Sequence, residues 1–298
     1  MKLCKPLFEI WEQSAGLEGV YKMIEYAGRV CYKSEDKITE DSAKPFVDRM
    51  IKSGHGAMLE HGTVYLQYET AKSAINPLTK YYLNKYSKVK AKEGAIEETM
   101  RLFVTTNLRV LVENNWLKDL EYICEPTEFH EKRITVHFVC DRGVSHEFVR
   151  HRVMSFAQES TRYCNYSKDK FGNELTFIKP YWLDIPTGQY VYWDGDWCDV
   201  DKMKIQLPEG EHKDIDAFLW TLNNAETHYT LLINSGWKPQ EARAVLPNSL
   251  KTELVMTGFV SDWKHFFELR CDSAAHPQAR ELAIPLKEEF IKKGYITE

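Results

Sequence analysis

Residues 133–152, RITVHFVCD running into RGVSHEFVRHR, constrain the fold most. The first nine are rich in β-branched and aromatic residues and read as a strand, Arg133–Asp141. Residues 142–152 read as a helix that buries Val144, Phe148 and Val149. A strand feeding a helix puts Arg150, His151 and Arg152 at the end of a rigid support. Successive helical side chains point about 100° apart, so the three cannot all grip one small anion from mid-helix. Either they serve several ligand groups, or the helix ends there and the chain turns around a ligand. Ser155, Gln158, Glu159, Ser160 and Arg162 follow. Guanidinium forks suit phosphate and carboxylate oxygens. The plain alternative is a solvated basic helix end with an ordinary hydroxyl-rich loop.

With 298 residues, 43% of them hydrophobic, the chain can bury a sizeable core. A net charge of -5 gives no global basic field for nucleic acid, so local cations are site features. Seven scattered cysteines without any CxxC argue for a reducing, cytoplasmic setting and against a disulfide scaffold or zinc ribbon. No apolar run approaches the roughly 20 residues of a membrane span, and MKLCKPLFEIWE lacks a signal-peptide core.

Further elements follow from periodicity and stop signals. Strands are expected at 7–12, 63–69, 100–106, 175–178 and 251–259. Helices are expected at 17–31, 39–53, 108–114, 214–235, from Pro239, from Ser261 or Asp262 to Arg270, and from Pro277 to Lys292. Thr39 is the expected cap of the second helix, with Pro45 delaying or kinking it. Residues 80–92 read as exposed and irregular, and 180–212 as a surface excursion. The fold class implied is α+β, one domain over 1–298 with insertions at 70–132 and 180–212.

Outside the RHR cluster, His55 and His61 sit in glycine-flanked loop. No third ligand stands at helical spacing, so no metal is expected. Arg243 lies in EARAVLP, and Arg270 ends DWKHFFELR. Phe266 and Phe267 place an apolar helix face beside Arg270, so its charge needs a partner. Glu268, Asp272, another carboxylate and a ligand are all open to it.

Taken together these segments resemble the flavin-dependent thymidylate synthases. The carriers are RHR-x7-S (Arg150, His151, Arg152, Ser160), the His55–His61 segment, ARAVLP from Ala242 to Pro247, and Leu269–Arg270 before CDSAAH. They occur in the family's order and span most of 1–69, 133–178 and 213–293. The resemblance implies a twisted, mostly antiparallel sheet flanked by helices. It implies reductive methylation of dUMP to dTMP, with methylenetetrahydrofolate as carbon donor and FAD reduced by NADPH. It implies a homotetramer with active sites shared between subunits, and neither a nucleic acid nor a membrane partner.

Carried over by position, Glu147, Arg150, Gln158, Glu159, Ser160, Thr161, Arg162, Arg243 and Arg270 hold dUMP. His55, Arg150, His151, Arg152, Gln158 and His265 face FAD, and Arg270 activates the uracil at its N3/O4 edge. Ala57 stands where some members have a hydroxyl residue, and Phe259 where some have Asn; both put individual flavin contacts in doubt. A guanidinium at the pyrimidine edge stabilises ring charge as C5 attacks, so no cysteine nucleophile is required. Two other classes remain to be weighed. One is a nucleotide-binding regulator without turnover. The other is an RNA-binding module using the Arg150–Arg162 patch, which the acidic balance disfavours.

Overall fold

The computed structural model describes residues 1–71, 79–94, 96, 98–168, 171–208 and 213–297. A short strand β1 (Lys2–Cys4) precedes β2 (Leu7–Trp11) and the long helix α1 (Gly16–Tyr32). Helix α1 packs on α2 (Ala43–Lys52) at Gly28, where an added Cβ would come within 2.4 Å of the Phe46 ring. The expected 39–53 helix starts later, at Ala43. Pro45 falls in its first turn, where no intrahelical N–H is needed. Thr39 is not its cap; Ser42 occupies the N-cap, and its hydroxyl accepts from the Thr39 amide at 2.8 Å.

After the one-turn α3 (Gly56–Leu59) come β3 (Thr63–Ala71), α4 (Thr79–Tyr82), β4 (Lys88–Glu93) and β5 (Thr99–Asn107). They form a three-stranded antiparallel sheet in the order β3-β5-β4. The irregular reading of 80–92 fails here. Tyr81 is fully buried, and KVKAKE is an edge strand whose lysines are the residues that discourage edge-to-edge pairing. Helix α5 (Leu108–Glu113) is capped by Asn107, whose side chain accepts from the Val110 amide.

The central sheet is β2-β6-β12-β7, antiparallel throughout. It contains β6 (Arg133–Asp141), followed by α6 (Arg142–Phe148) and β7 (Ser155–Gln158). Helix α6 is shorter than expected, and Val149 is exposed rather than buried. Strand β8 (Thr176–Ile178) pairs parallel with β1, whose other edge takes β9 (Gly188–Gln189). Strands β10 (Val191–Trp193) and β11 (Asp196–Cys198) make a hairpin, so 180–212 is not wholly irregular. Its two-residue turn, Asp194-Gly195, has positive φ at both positions, as a type I′ turn requires. Helices α7 (Lys213–Asn234) and α8 (Pro239–Ala242) lead to β12 (Lys251–Phe259), α9 (Val260–Arg270) and α10 (Pro277–Lys292). The N-cap of α9 is Phe259; Asp262 sits in the first turn and accepts from the Phe259 amide at 2.9 Å.

Alternation along β6 gives the central sheet two unlike faces. Ile134, Val136, Phe138 and Cys140 join Leu254 and Met256 of β12 against α6, α9 and α10. On the other face, Thr135 bonds Thr257 at 2.8 Å, His137 bonds Glu253 at 3.0 Å, and Arg133 reaches Ser155 at 3.1 Å. The apolar face fixes α6 and α9 in depth, and their ends carry Glu147 and Arg270.

Candidate active site

Helix α6 begins at Asp141, whose carboxylate accepts from the Val144 amide at 2.8 Å. It ends where Phe148 wedges between Phe138 and Phe266, with ring centroids 5.1 and 5.0 Å away. The chain then turns: the His151 amide donates to Phe148 O, and the Met154 amide to His151 O. Of the two arrangements open to the RHR triplet, this is the helix end with a turn. His151 is buried, while Arg150 and Arg152 are exposed. Neither arginine has a carboxylate partner among the described residues.

Trp263, Phe266 and Phe267 anchor α9 in the core and leave Arg270 at its C-terminal end. Arg270 Nη1 donates to Glu147 Oε2 at 2.8 Å, Nη2 to Glu147 O at 2.8 Å, and Nε to His151 Nε2 at 3.1 Å. Its carboxylate partner is thus Glu147, neither Glu268 nor Asp272. Burial, then the charges of Arg270 and His265, push His151 down to about 4, so the ring is neutral near pH 7 and its Nε2 can accept. Burial also lowers Arg270 from the ordinary arginine value, with Glu147 acting against it. Arg270 also lines a cleft of about 500 Å³, together with Arg150, His151, Arg152, Ser261 and His265.

A second group gathers on the turn after β7. Arg243 Nη1 donates to Thr161 Oγ1 at 3.1 Å, and the Arg162 amide donates to Ser160 Oγ at 3.3 Å. Gln158 donates to Ser145 of α6 at 2.8 Å and to Thr252 of β12 at 3.2 Å, joining this turn to the helix that carries Glu147. Glu159 is buried and bonded to Lys251 and Tyr166.

His55 lies apart from the Arg270 group. With Arg29, Tyr32, Arg49 and Tyr163 it lines another cleft of about 410 Å³. Its Nδ1 is 3.2 Å from the Tyr32 hydroxyl. Tyr163 packs beside Tyr32, with ring centroids 5.6 Å apart and the rings tilted, so Tyr163 forms one wall of the His55 cleft. His61 is fully buried and bonds Thr257 at 2.8 Å. Among the described residues no group of three or more His, Cys, Asp or Glu is placed to hold a metal ion.

The sequence profile described as thymidylate synthase complementing protein matches residues 85–293. The chain belongs to that family. It is 30% identical over 160 residues to a flavin-dependent thymidylate synthase of Pyrococcus furiosus, covering 53% of each chain. It is 23% identical over 277 residues to the enzyme of that name from Corynebacterium aurimucosum, covering 92% of this chain and 77% of the relative. The match thus spans about half the length of the Pyrococcus relative. Among solved structures, the UMP/dUMP methylase PolB of Streptomyces cacaoi bound to 5-Br dUMP aligns with a TM-score of 0.42 at 18% identity, covering 98% of this chain and 93% of that one.

Within this family member, the sequence reading missed three contributors. Tyr32 and Arg49 border the His55 cleft, but α1 and α2 read simply as amphipathic helices. Lys251 opens β12 and looks like an ordinary strand-end lysine, although it is salt-bridged to buried Glu159. Tertiary pairing alone reveals these roles. Of the two family departures, Ala57 is exposed in α3 and Phe259 is buried with Arg133 5.6 Å from its ring.

Proposed function

We propose that the chain is a flavin-dependent thymidylate synthase that converts dUMP to dTMP with methylenetetrahydrofolate and NADPH. The observation that carries this reading is Arg270, fastened by Glu147 and His151 at the wall of a cleft it shares with Arg150 and Arg152. Donors held in advance stabilise charge that develops on O4 and N3 when C5 attacks, with little reorganisation during the reaction. Glu147, Arg150, Gln158 and the turn from Ser160 to Arg162 line the nucleotide's path, with Glu159 buried behind them. Arg243 and Ser160 grip its phosphate.

The residues present suit a flavin dinucleotide. Arg150 and Arg152 lack carboxylate partners among the described residues and face a cleft with His265, a donor set matched to pyrophosphate. His55, Arg150, His151, Arg152, Gln158 and His265 would hold FAD. When bound, FAD supplies the hydride that NADPH delivers. Burial pushes the thiols of Cys4, Cys31, Cys124, Cys140 and Cys271 up, which disfavours thiolate attack on C6 by these residues. His55 opens on a different cleft from Arg270, which suits a homotetramer whose subunits complete one another's sites, working in the cytoplasm.

The test is dTMP formation and tritium release from C5-labelled dUMP, with FAD, NADPH and the folate present. A yellow protein that turns over supports the reading. A colourless protein that takes up no flavin on reconstitution, and makes no dTMP, would sink it.

A further inference from the structure

Glu159 has no open face. It is 2% exposed, its Oε2 accepts from Lys251 Nζ at 3.0 Å, and its Oε1 accepts from the Tyr166 hydroxyl at 2.8 Å. Its amide donates to Glu253 O at 2.8 Å, and the next amide, Ser160, donates to Cys31 O at 3.1 Å. The 159–163 turn is thereby pinned between β12 and the C-terminal end of α1. Lys251 is shared: it also bonds Glu253, which in turn takes Lys33 and His137. Burial acts to raise the Glu253 carboxyl, but His137, Lys251 and Lys33 together hold it below the usual carboxylate range. Glu159 and Glu253, pulling against burial, hold Lys251 above the ordinary lysine value.

We infer that Glu159 acts as a positioning residue, with Lys251 and Tyr166 as its clamp, and that the clamp sets the Ser160, Thr161 and Arg162 donors for the nucleotide phosphate. The inference rests on the proposed nucleotide role of that turn. The carboxylate itself does not touch substrate. A buried anion placed directly before a phosphate-binding turn would repel the ligand unless neutralised. The Lys251 ammonium at 3.0 Å supplies that neutralisation while fixing the backbone. Removing Lys251 leaves a buried carboxylate without its counter-ion, so Glu159 must protonate or swing out, and Ser160 moves with it.

The experiment uses the full-length, flavin-loaded protein and three variants: Lys251→Met, Lys251→Arg and Tyr166→Phe. Lys251→Met should raise the KM for dUMP about tenfold, as expected for loss of a charge-assisted anchor, with kcat nearly unchanged. Hydrogen exchange should quicken in the peptide covering 155–168 and not in α10. Lys251→Arg should return both readouts towards wild type, and Tyr166→Phe should move them less. If Lys251→Met fails to fold, Tyr166→Phe alone decides, because it removes only a hydroxyl. Unchanged KM and unchanged exchange in 155–168 in the variants that fold would overturn the inference. So would an exchange increase spread evenly over the chain. If wild-type protein neither binds dUMP nor makes dTMP, the functional reading fails on its own. The exchange comparison then still tests whether the clamp holds the turn.

Discussion

Arg270 enters its cleft with three nitrogens already bonded, to Glu147 Oε2, Glu147 O and His151 Nε2. Arg243 is exposed and, among the described residues, its side chain has a single hydrogen bond, to Thr161. The first guanidinium is fixed before any ligand arrives, at the cost of half-burying a charge. The second keeps its rotamer freedom and most of its donors. Fixed donors serve a transition state, because they need no reorganisation as charge develops. Free donors serve ground-state capture, where a phosphate can be met from several directions. On the proposed function, the difference predicts that the two arginines act on different kinetic constants.

The sharpest way to break the comparison is to exchange each for alanine. Arg270→Ala should lower kcat by about a hundredfold to a thousandfold, the range for losing a preorganised donor. It should leave flavin binding and the fold intact, which the visible flavin spectrum and thermal melting check. Arg243→Ala should raise the KM for dUMP by about ten- to a hundredfold, with kcat little changed. Lysine variants sharpen the contrast. Arg243→Lys should recover most of the affinity, since a point charge still meets phosphate. Arg270→Lys should recover almost nothing, since an ammonium cannot span Glu147 and His151 in one plane. Equal effects of the two lysine variants would erase the distinction. A smaller effect is expected for Glu147→Gln, which keeps hydrogen-bonding capacity and the backbone contact but loses the charge. A loss of about tenfold in kcat at constant flavin content is the expected outcome.

Much of this was legible in the sequence, for reasons that differ by element. Strands β6 and β12 and helix α10 have the bounds that their composition and flanking signals indicate, because local preference and tertiary burial agree there. The Lys88–Glu93 strand was not legible. Its alternating lysines look solvated, and only pairing with β5 makes them an edge strand. The β10–β11 hairpin did carry a local signal, Asp194-Gly195, which the surrounding aromatics masked. At the site, motif order singled out Arg150, His151, Arg152, Arg243 and Arg270; the structure gathers all but Arg243 around one cleft and leaves Arg243 beside Thr161. What it could not show is which side chains spend their hydrogen bonds on one another. His151 and Glu147 read as ligand contacts, yet both side chains bond Arg270 in this structure. Contacts across 123 residues, as between Glu147 and Arg270, leave no periodic trace.

The smallest expected effect tests the fastening of Arg270 without touching it. His151 accepts from Arg270 only while neutral, and burial, with Arg270 and His265 close by, holds it down to about 4. An unfolded histidine titrates near 6.5, so between pH 6.5 and 4 the unfolded chain binds the proton that the folded chain refuses. Stability from this residue is therefore complete above about pH 6.5 and falls as pH drops towards 4. His61, pushed down to about 3 by burial and by Arg133, adds a slope of the same sign over the same window. The two separate by substitution. In His151→Gln, whose amide oxygen can still accept from Arg270, the fall in urea midpoint between pH 6.5 and 4 should shrink. The part due to His61 should persist. A slope identical to wild type would mean that His151 takes up its proton in the folded protein as readily as in the unfolded chain, and so carries it below about pH 6.5. The Arg270 Nε bond would then lack its acceptor, and the fixed guanidinium that distinguishes Arg270 from Arg243 would lose one of its three ties.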